Sequence, residues 1–212
     1  MANANAGLRW LEHSKPNLSE ARAAFARIAE AGRQLDEVIE GIRALFGKQP
    51  RQTGVVDLRQ LVSDVVSLAQ YELDNHDIVL RCYIPDWLPK VTGARGQLQQ
   101  VFFNLITNAI EAMSSATGRD RCLTITAGSD PEENVTIAIE DTGSGIDRHH
   151  LDRIFDPFFT TKSHGMGSGL AISWSIVGAH GGQLRASSRS PFGTVFHLTL
   201  PISNTPRDDV IS

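Results

Sequence analysis

The stretch NVTIAIEDTGSGID, residues 134 to 147, runs from a strand-like segment into an aspartate followed by two glycines and a serine. NVTIAI has the β-branched content of a strand. Two readings fit the glycines behind Asp141. One is a tight loop, because glycine supplies turn conformations closed to other residues. The other is a nucleotide-binding loop in which Asp141 reads a base while Gly143 and Gly145 let the backbone approach a ligand.

The neighbouring segments bear on that choice. Upstream, QLQQVFFNLITNAIEAM (residues 97 to 113) places Leu98, Val101, Phe102, Leu105, Ile106, Ala109, Ile110 and Met113 at helical spacing. Gln97, Gln100, Asn104, Asn108 and Glu111 fall on the opposite stripe. Asparagine competes with its own backbone and lowers helix propensity, so two of them one turn apart suit a plain solvated face poorly. An amide oxygen is a hard ligand that suits Mg²⁺. Downstream, GMGSGLAISWSI (residues 165 to 176) opens a helix with alternate glycines, which frees backbone N–H groups to face an anion at a positive helix end. Between the glycine segments lies IFDPFFTTKSH, where Phe155, Phe158 and Phe159 are read as core or flap packing beside Thr160, Thr161 and Lys162.

Around this centre the chain divides into four parts. In residues 1–48, apolar positions from Ala21 through Ala24, Ile28, Ala31, Leu35, Val38, Ile42 and Leu45 alternate steps of three and four. That pattern, with a cap at Asn17 and Glu20, predicts a helical hairpin whose long arm starts near Leu18 and whose seam asks for a second copy. Residues 49–56 read as a linker, 57–201 as an α/β unit and 202–212 as a frayed tail. Within 57–201 the pattern predicts helices near 57–73, 96–113, 147–154 and 169–180, strands near 78–84, 123–127 and 135–140, and a final hairpin. The order does not alternate strictly, which predicts an α+β fold with a mixed sheet covered on one face by helices.

Composition narrows the function classes. A net charge of −4 without a basic stripe argues against nucleic acid as a partner. No apolar run approaches the roughly 20 residues of a membrane helix, and the amino terminus lacks a secretory pattern. The expected location is cytoplasmic, with membrane attachment of a longer parent protein left open. Cys82 and Cys122 have no metal or disulfide spacing and are expected to be small buried residues.

Taken in order, NLITNAIEAM, EDTGSGI, IFDPFFTTK and GMGSGLAIS resemble the N, G1, F and G2 boxes of the GHKL superfamily, with its Bergerat ATP-binding fold, over residues 57 to 201. They are most similar to sensor histidine kinases, whose dimerisation and phosphotransfer bundle the hairpin resembles. The resemblance implies ATP and Mg²⁺ as ligands. It implies Asn108 as the Mg²⁺ ligand, Asn104 as its neighbour on the phosphate side, and Asp141 as the acceptor from the adenine amino group. Gly143 and Gly145 would shape the adenine pocket; Gly165, Gly167 and Gly169 would form the hinge and phosphate end of a lid. Ile146, Phe155, Thr161, Ser168 and Leu170 would also belong to the site, with Lys162 adding charge near the terminal phosphate. A homodimer through the hairpin and a response-regulator receiver domain are the implied partners.

ATP-hydrolysing relatives carry a glutamate one turn before the metal-binding asparagine; here that position is Asn104, and an amide cannot act as a general base. A neutral imidazole needs no such base. Before residue 76 only His13 is available, followed by Ser14, and His76 lies between a helix and a strand. The chain is therefore expected to be a truncated histidine kinase that begins after its phosphoacceptor and does not autophosphorylate. The alternatives are an ATP-hydrolysing switch and a non-enzymatic nucleotide-binding dimerisation module.

Overall fold

The structure is a computed structural model that describes residues 9–11, 17–25, 27–28, 32, 53–116, 118–130, 133–161 and 167–203. Most of the hairpin, the tail beyond residue 203, Lys162 and Gly165 lie outside the described residues. Where the long arm is described, it starts as the cap predicts. Asn17 Oδ1 accepts from Glu20 N at 3.2 Å, residues 18–25 are helical, and Ala21 and Ala24 are buried while Leu18 and Phe25 are exposed.

The α/β unit runs β1 (Gly54–Val56), α1 (Leu58–Asn75), β2 (Val79–Tyr83), β3 (Val91–Gly93), α2 (Arg95–Ser114), β4 (Cys122–Ser129), β5 (Asn134–Asp141), α3 (Gly169–Ala179), β6 (Gln183–Ser188) and β7 (Thr194–Pro201). Five strands form one sheet in the order β2-β4-β5-β7-β6. β2 pairs with β4 in parallel and all other neighbours are antiparallel, so the sheet is mixed, as expected. Every second residue of β5 is buried, namely Val135, Ile137, Ile139 and Asp141. Val135, Ile137 and Ile139, with Leu123, Ile125, Leu184, Phe196, Leu198 and Leu200, form the sheet's side of the core.

The helices supply the other side. α2 buries Leu98, Val101, Phe102, Leu105, Ile106, Ala109, Ile110 and Met113, the face its spacing predicts, and packs between α1 and α3. Side chains of that size stabilise by about 1.5–3 kcal/mol each on leaving water. Arg121 holds the end of this helix. Its guanidinium donates to Ala116 O at 3.3 Å and Ser114 O at 3.5 Å, and reaches across to His76 O at 2.8 Å. Carbonyls at a helix end have no partner of their own, and a cation there also opposes the dipole.

Four expectations need correction. Residues 49–56 are not wholly linker: Gly54–Val56 pair antiparallel with Val91–Gly93. Three-residue strands are too short to show a period. The tail begins later than residue 202, because Ile202 bridges Val91 and Ser203 N donates to Lys90 O at 2.8 Å. No helix forms over 147–154; successive turns stand there, with His150 N on Asp147 O and Arg153 N on His150 O, both 2.8 Å. Asp147 Oδ1 accepts from His149 N at 3.0 Å, a local bond that competes with a helix, and Pro157 closes the segment. Cys82 is exposed, because β2 is an edge strand with four of its five residues exposed, and Cys122, the first residue of β4, is only half-buried.

Phe102 is fully buried between α2 and the rest of the core. Phe102→Ala is expected to lower the unfolding free energy by about 3–5 kcal/mol, read from urea midpoints.

Candidate functional site

Asp141 ends β5 on the helix-facing side of the sheet because the two-residue period of the strand puts it in line with Val135, Ile137 and Ile139. It is 2% exposed. Its Oδ1 accepts from Gly143 N at 2.7 Å and Thr194 N at 3.3 Å. Both bonds use the same oxygen, which leaves Oδ2 as the atom available to a ligand. Burial pushes the carboxyl above its ordinary value; the N–H groups of Gly143 and Thr194, and then Arg189, pull it back, and Glu140 adds a small push upward. Arg189 also pairs with Glu140.

The turn behind Asp141 presses against α2. A Cβ on Gly143 would stand 2.7 Å from the carbonyl carbon and the Cβ of Ala112, so only glycine fits, and Ser144 N donates to Ala112 O at 3.2 Å. Gly145 follows with φ +77°, and Ile146 is partly buried against the core.

Asn104, Asn108 and Ala112 stand four residues apart and share one stripe of α2. At Ala112 the stripe meets the glycine turn. At Asn104 it meets α3, where Nδ2 donates to Gly169 O at 3.3 Å and Ser173 Oγ at 3.4 Å. Ser173 Oγ itself donates to Gly169 O at 2.9 Å. Asn108 is half-buried midway, so the two glycine segments are separated by eight residues, about 12 Å of helix axis. A glutamate at 104 would lack the N–H groups that bind Gly169 O.

Ser168 caps α3 without a side-chain cap bond. It is 6% exposed, and its Oγ has no hydrogen-bond partner among the described residues. Gly167 adopts φ +67° and packs on the backbone of Phe158 and Phe159, which joins the F segment to the head of α3. The phenylalanines divide: Phe155 and Phe159 pack on the core, as does Leu170, whereas Phe158 is 68% exposed with φ +65°. Phe159 carries the Arg153 guanidinium 4.8 Å from its ring centre. Thr161 is exposed.

The structure thus brings Asn104, Asn108, Asp141, Gly143, Gly167, Ser168 and Gly169 around one side of α2. Sequence reasoning missed Thr194 and Gly193. A Cβ on Gly193, at φ +103°, would stand 1.9 Å from Asp141 O. The signal was SPFGT (residues 190 to 194), a turn-rich string that reads only as a hairpin.

Residues 93–204 match the family described as "Histidine kinase-, DNA gyrase B-, and HSP90-like ATPase". Sensor histidine kinase TmoS of Ectopseudomonas mendocina is 34% identical over 96% of this chain and 21% of its own length. Sensor protein FixL of Bradyrhizobium diazoefficiens is 33% identical over 90% of this chain and 37% of its own. The chain thus spans well under half of these relatives. Among solved structures, histidine kinase ThkA in complex with response regulator protein TrrA superposes with a TM-score of 0.73 at 25% identity, covering 95% of this chain and 57% of that one.

Because Asp141 is held above its ordinary value, the folded state favours its protonated form. Its contribution to stability is fully present below the ordinary value of 3.8 and is lost as pH rises through the raised folded value. Urea unfolding of wild type and Asp141→Asn across that window is expected to show wild type losing stability relative to the variant as pH rises, then a constant difference above it.

Proposed function

This chain belongs to the histidine kinase-, DNA gyrase B- and HSP90-like ATPase family, in its sensor histidine kinase branch, and on that premise we propose that it is an ATP-binding catalytic portion that passes the γ-phosphoryl of Mg·ATP to a histidine for relay to a response-regulator aspartate. The observation that carries this reading is the α2 stripe. One helix face offers two amides between a buried carboxylate at one end and the head of α3 at the other.

The residues suit the ligand. Asp141 Oδ2 accepts from the adenine amino group, and Gly143 and Gly145, with Ile146 beside them, shape the adenine pocket by letting the turn close on Ala112 and Gly193. At the other end the buried Ser168 hydroxyl, without a partner among the described residues, and the first turn of α3 suit an anion. Phe155, Leu170 and Gly167 shape that end, with exposed Thr161 nearby in the chain; Lys162 and Gly165 keep the roles that the resemblance implies and lie outside the described residues. Among the described residues no three His, Cys, Asp or Glu side chains gather in a metal-sized group. The Asn108 amide oxygen would be the protein ligand of a Mg²⁺ ion bound with the phosphates, an oxygen donor that suits the ion. Mg·ATP, when bound, supplies the phosphoryl group and neutralises its charge; the protein positions it.

Asn104 separates a kinase from a hydrolase. Its amide is committed as a donor to α3 and has no basic atom with which to activate water. An imidazole brought by a helix bundle is neutral near pH 7 and attacks without that help. We infer that in this form the chain does not autophosphorylate, because His13, the one histidine before residue 76, is followed by Ser14 and not by an acidic residue. A second copy joined through the hairpin and a receiver domain as acceptor are the proposed partners, the latter in keeping with ThkA, whose structure holds it in complex with response regulator protein TrrA, and the proposed compartment is the cytoplasm.

The test incubates the chain with Mg²⁺ and γ-labelled ATP, with and without a histidine-bearing helix bundle from a related kinase. Acid-labile label on the bundle alone, with little free phosphate, is the expected outcome, and Asn108→Ala is expected to cut it more than about tenfold. Rapid phosphate release without protein label would make the chain an ATP-hydrolysing switch. Nucleotide binding with neither product would make it a non-enzymatic module.

A further inference from the structure

The turn after β5 is held on its outer side as well as at the base pocket. Thr142 Oγ1 donates to Asp120 O at 2.8 Å and accepts from Cys122 N at 2.9 Å. Beyond it, both poles of the peptide joining Gly143 to Ser144 are taken. Its N–H goes to Ala112 O on α2, and its carbonyl, Gly143 O, accepts from Arg119 Nη1 at 3.1 Å. A peptide preceded by glycine rotates easily, so two bonds at opposite ends of its plane matter more here than elsewhere in a turn.

Arg119 is itself seated. Its guanidinium carbon lies 4.1 Å from the centre of the Phe192 ring, a cation–π distance. Phe192 is 52% exposed, so core packing does not explain a large aromatic ring there; carrying a cation does. Two residues on, Thr194 N donates to Asp141 Oδ1. The contacts therefore close a ring: Asp141 to Gly143, Gly143 to Arg119, Arg119 to Phe192, and from Phe192 along the chain through Gly193 to Thr194 and back to Asp141. An arginine keeps its charge at any working pH, and a charged donor to a carbonyl outweighs a neutral one.

We propose that Arg119, seated on Phe192, is a positioning residue for base selection: it fixes the Gly143–Ser144 peptide plane and thereby the direction in which the Asp141 carboxylate faces the base. The inference rests on the nucleotide reading above. Arg119 does not touch the ligand; it acts through Gly143 and Asp141.

The experiment measures equilibrium binding of ADP and IDP, which differ at position 6, amino or oxo, and in the N1 proton that comes with the oxo group, the edge of the base that Asp141 would read. Wild type, Arg119→Ala, Arg119→Lys and Phe192→Leu are compared, with melting temperatures alongside. Arg119→Ala is expected to weaken ADP about tenfold and IDP hardly at all, so the preference for ADP collapses. Arg119→Lys, which keeps the charge but loses the planar fork, should recover part of that preference. Phe192→Leu, the milder change and the deciding one if Arg119→Ala fails to fold, should cost ADP about two- to threefold. A preference that survives in these variants, or equal losses for both nucleotides, would overturn the inference while leaving the nucleotide reading intact. Wild type that binds neither nucleotide would overturn both.

Discussion

One stripe of α2, Asn104–Asn108–Ala112, governs the arrangement of everything around it. A helix repeats every 3.6 residues, so the apolar residues that seat α2 on the sheet fix the direction of the polar stripe that remains. With Phe102, Leu105, Ile106 and Ala109 buried, Asn104 and Asn108 have one direction left. The glycine turn and the head of α3 then come to this stripe, each by a backbone group: Ser144 N at Ala112 O and Gly169 O at Asn104. The two ends of the site are thereby spaced by the rise of a helix, the least deformable ruler a protein has.

The same economy governs the carboxylate. Asp141 is the last inward residue of a strand whose earlier inward residues are all core, so its desolvation follows from register alone. An isolated buried carboxylate is costly. Here Gly143 and Thr194 meet that cost with two backbone donors, and Arg189 adds charge at longer range. Because both donors converge on Oδ1, the carboxylate is satisfied on one side and open on the other. On the nucleotide reading, selectivity for a base would depend on that asymmetry: a site built to bond a polar group leaves buried atoms unpaired when the wrong ligand enters.

Much of this was legible in the residues. The buried face of α2 was read position by position, and the mixed sheet, the glycine turn and the cap at Asn17 followed from local periodicity and turn chemistry. What escaped was fixed by distant contacts. β1 and β3 are three residues each, strands only because they pair with one another. Gly193 and Thr194 matter because β7 lies beside β5, and Arg119 because Gly143 O lies within reach; no local pattern records either adjacency. Over 147–154 the error was of another kind, since the residues favour a helix while Asp147 and Pro157 favour turns, and the local bonds prevail.

β3 has a consequence beyond its size. It pairs with β1 at the start of the unit and bridges Ile202 at the end, so the chain enters and leaves the α/β unit at one corner. That corner is in contact with the far end of α3: a Cβ on Gly93 would lie 2.7 Å from the His180 ring, and His180 Nε2 accepts from Ala94 N at 3.0 Å. The opposite end of α3 is the head that holds Ser168 and Gly169. A displacement of the flanking chain would thus meet one end of α3, and Ser168 and Gly169 would move with the other, as the two ends of one rod.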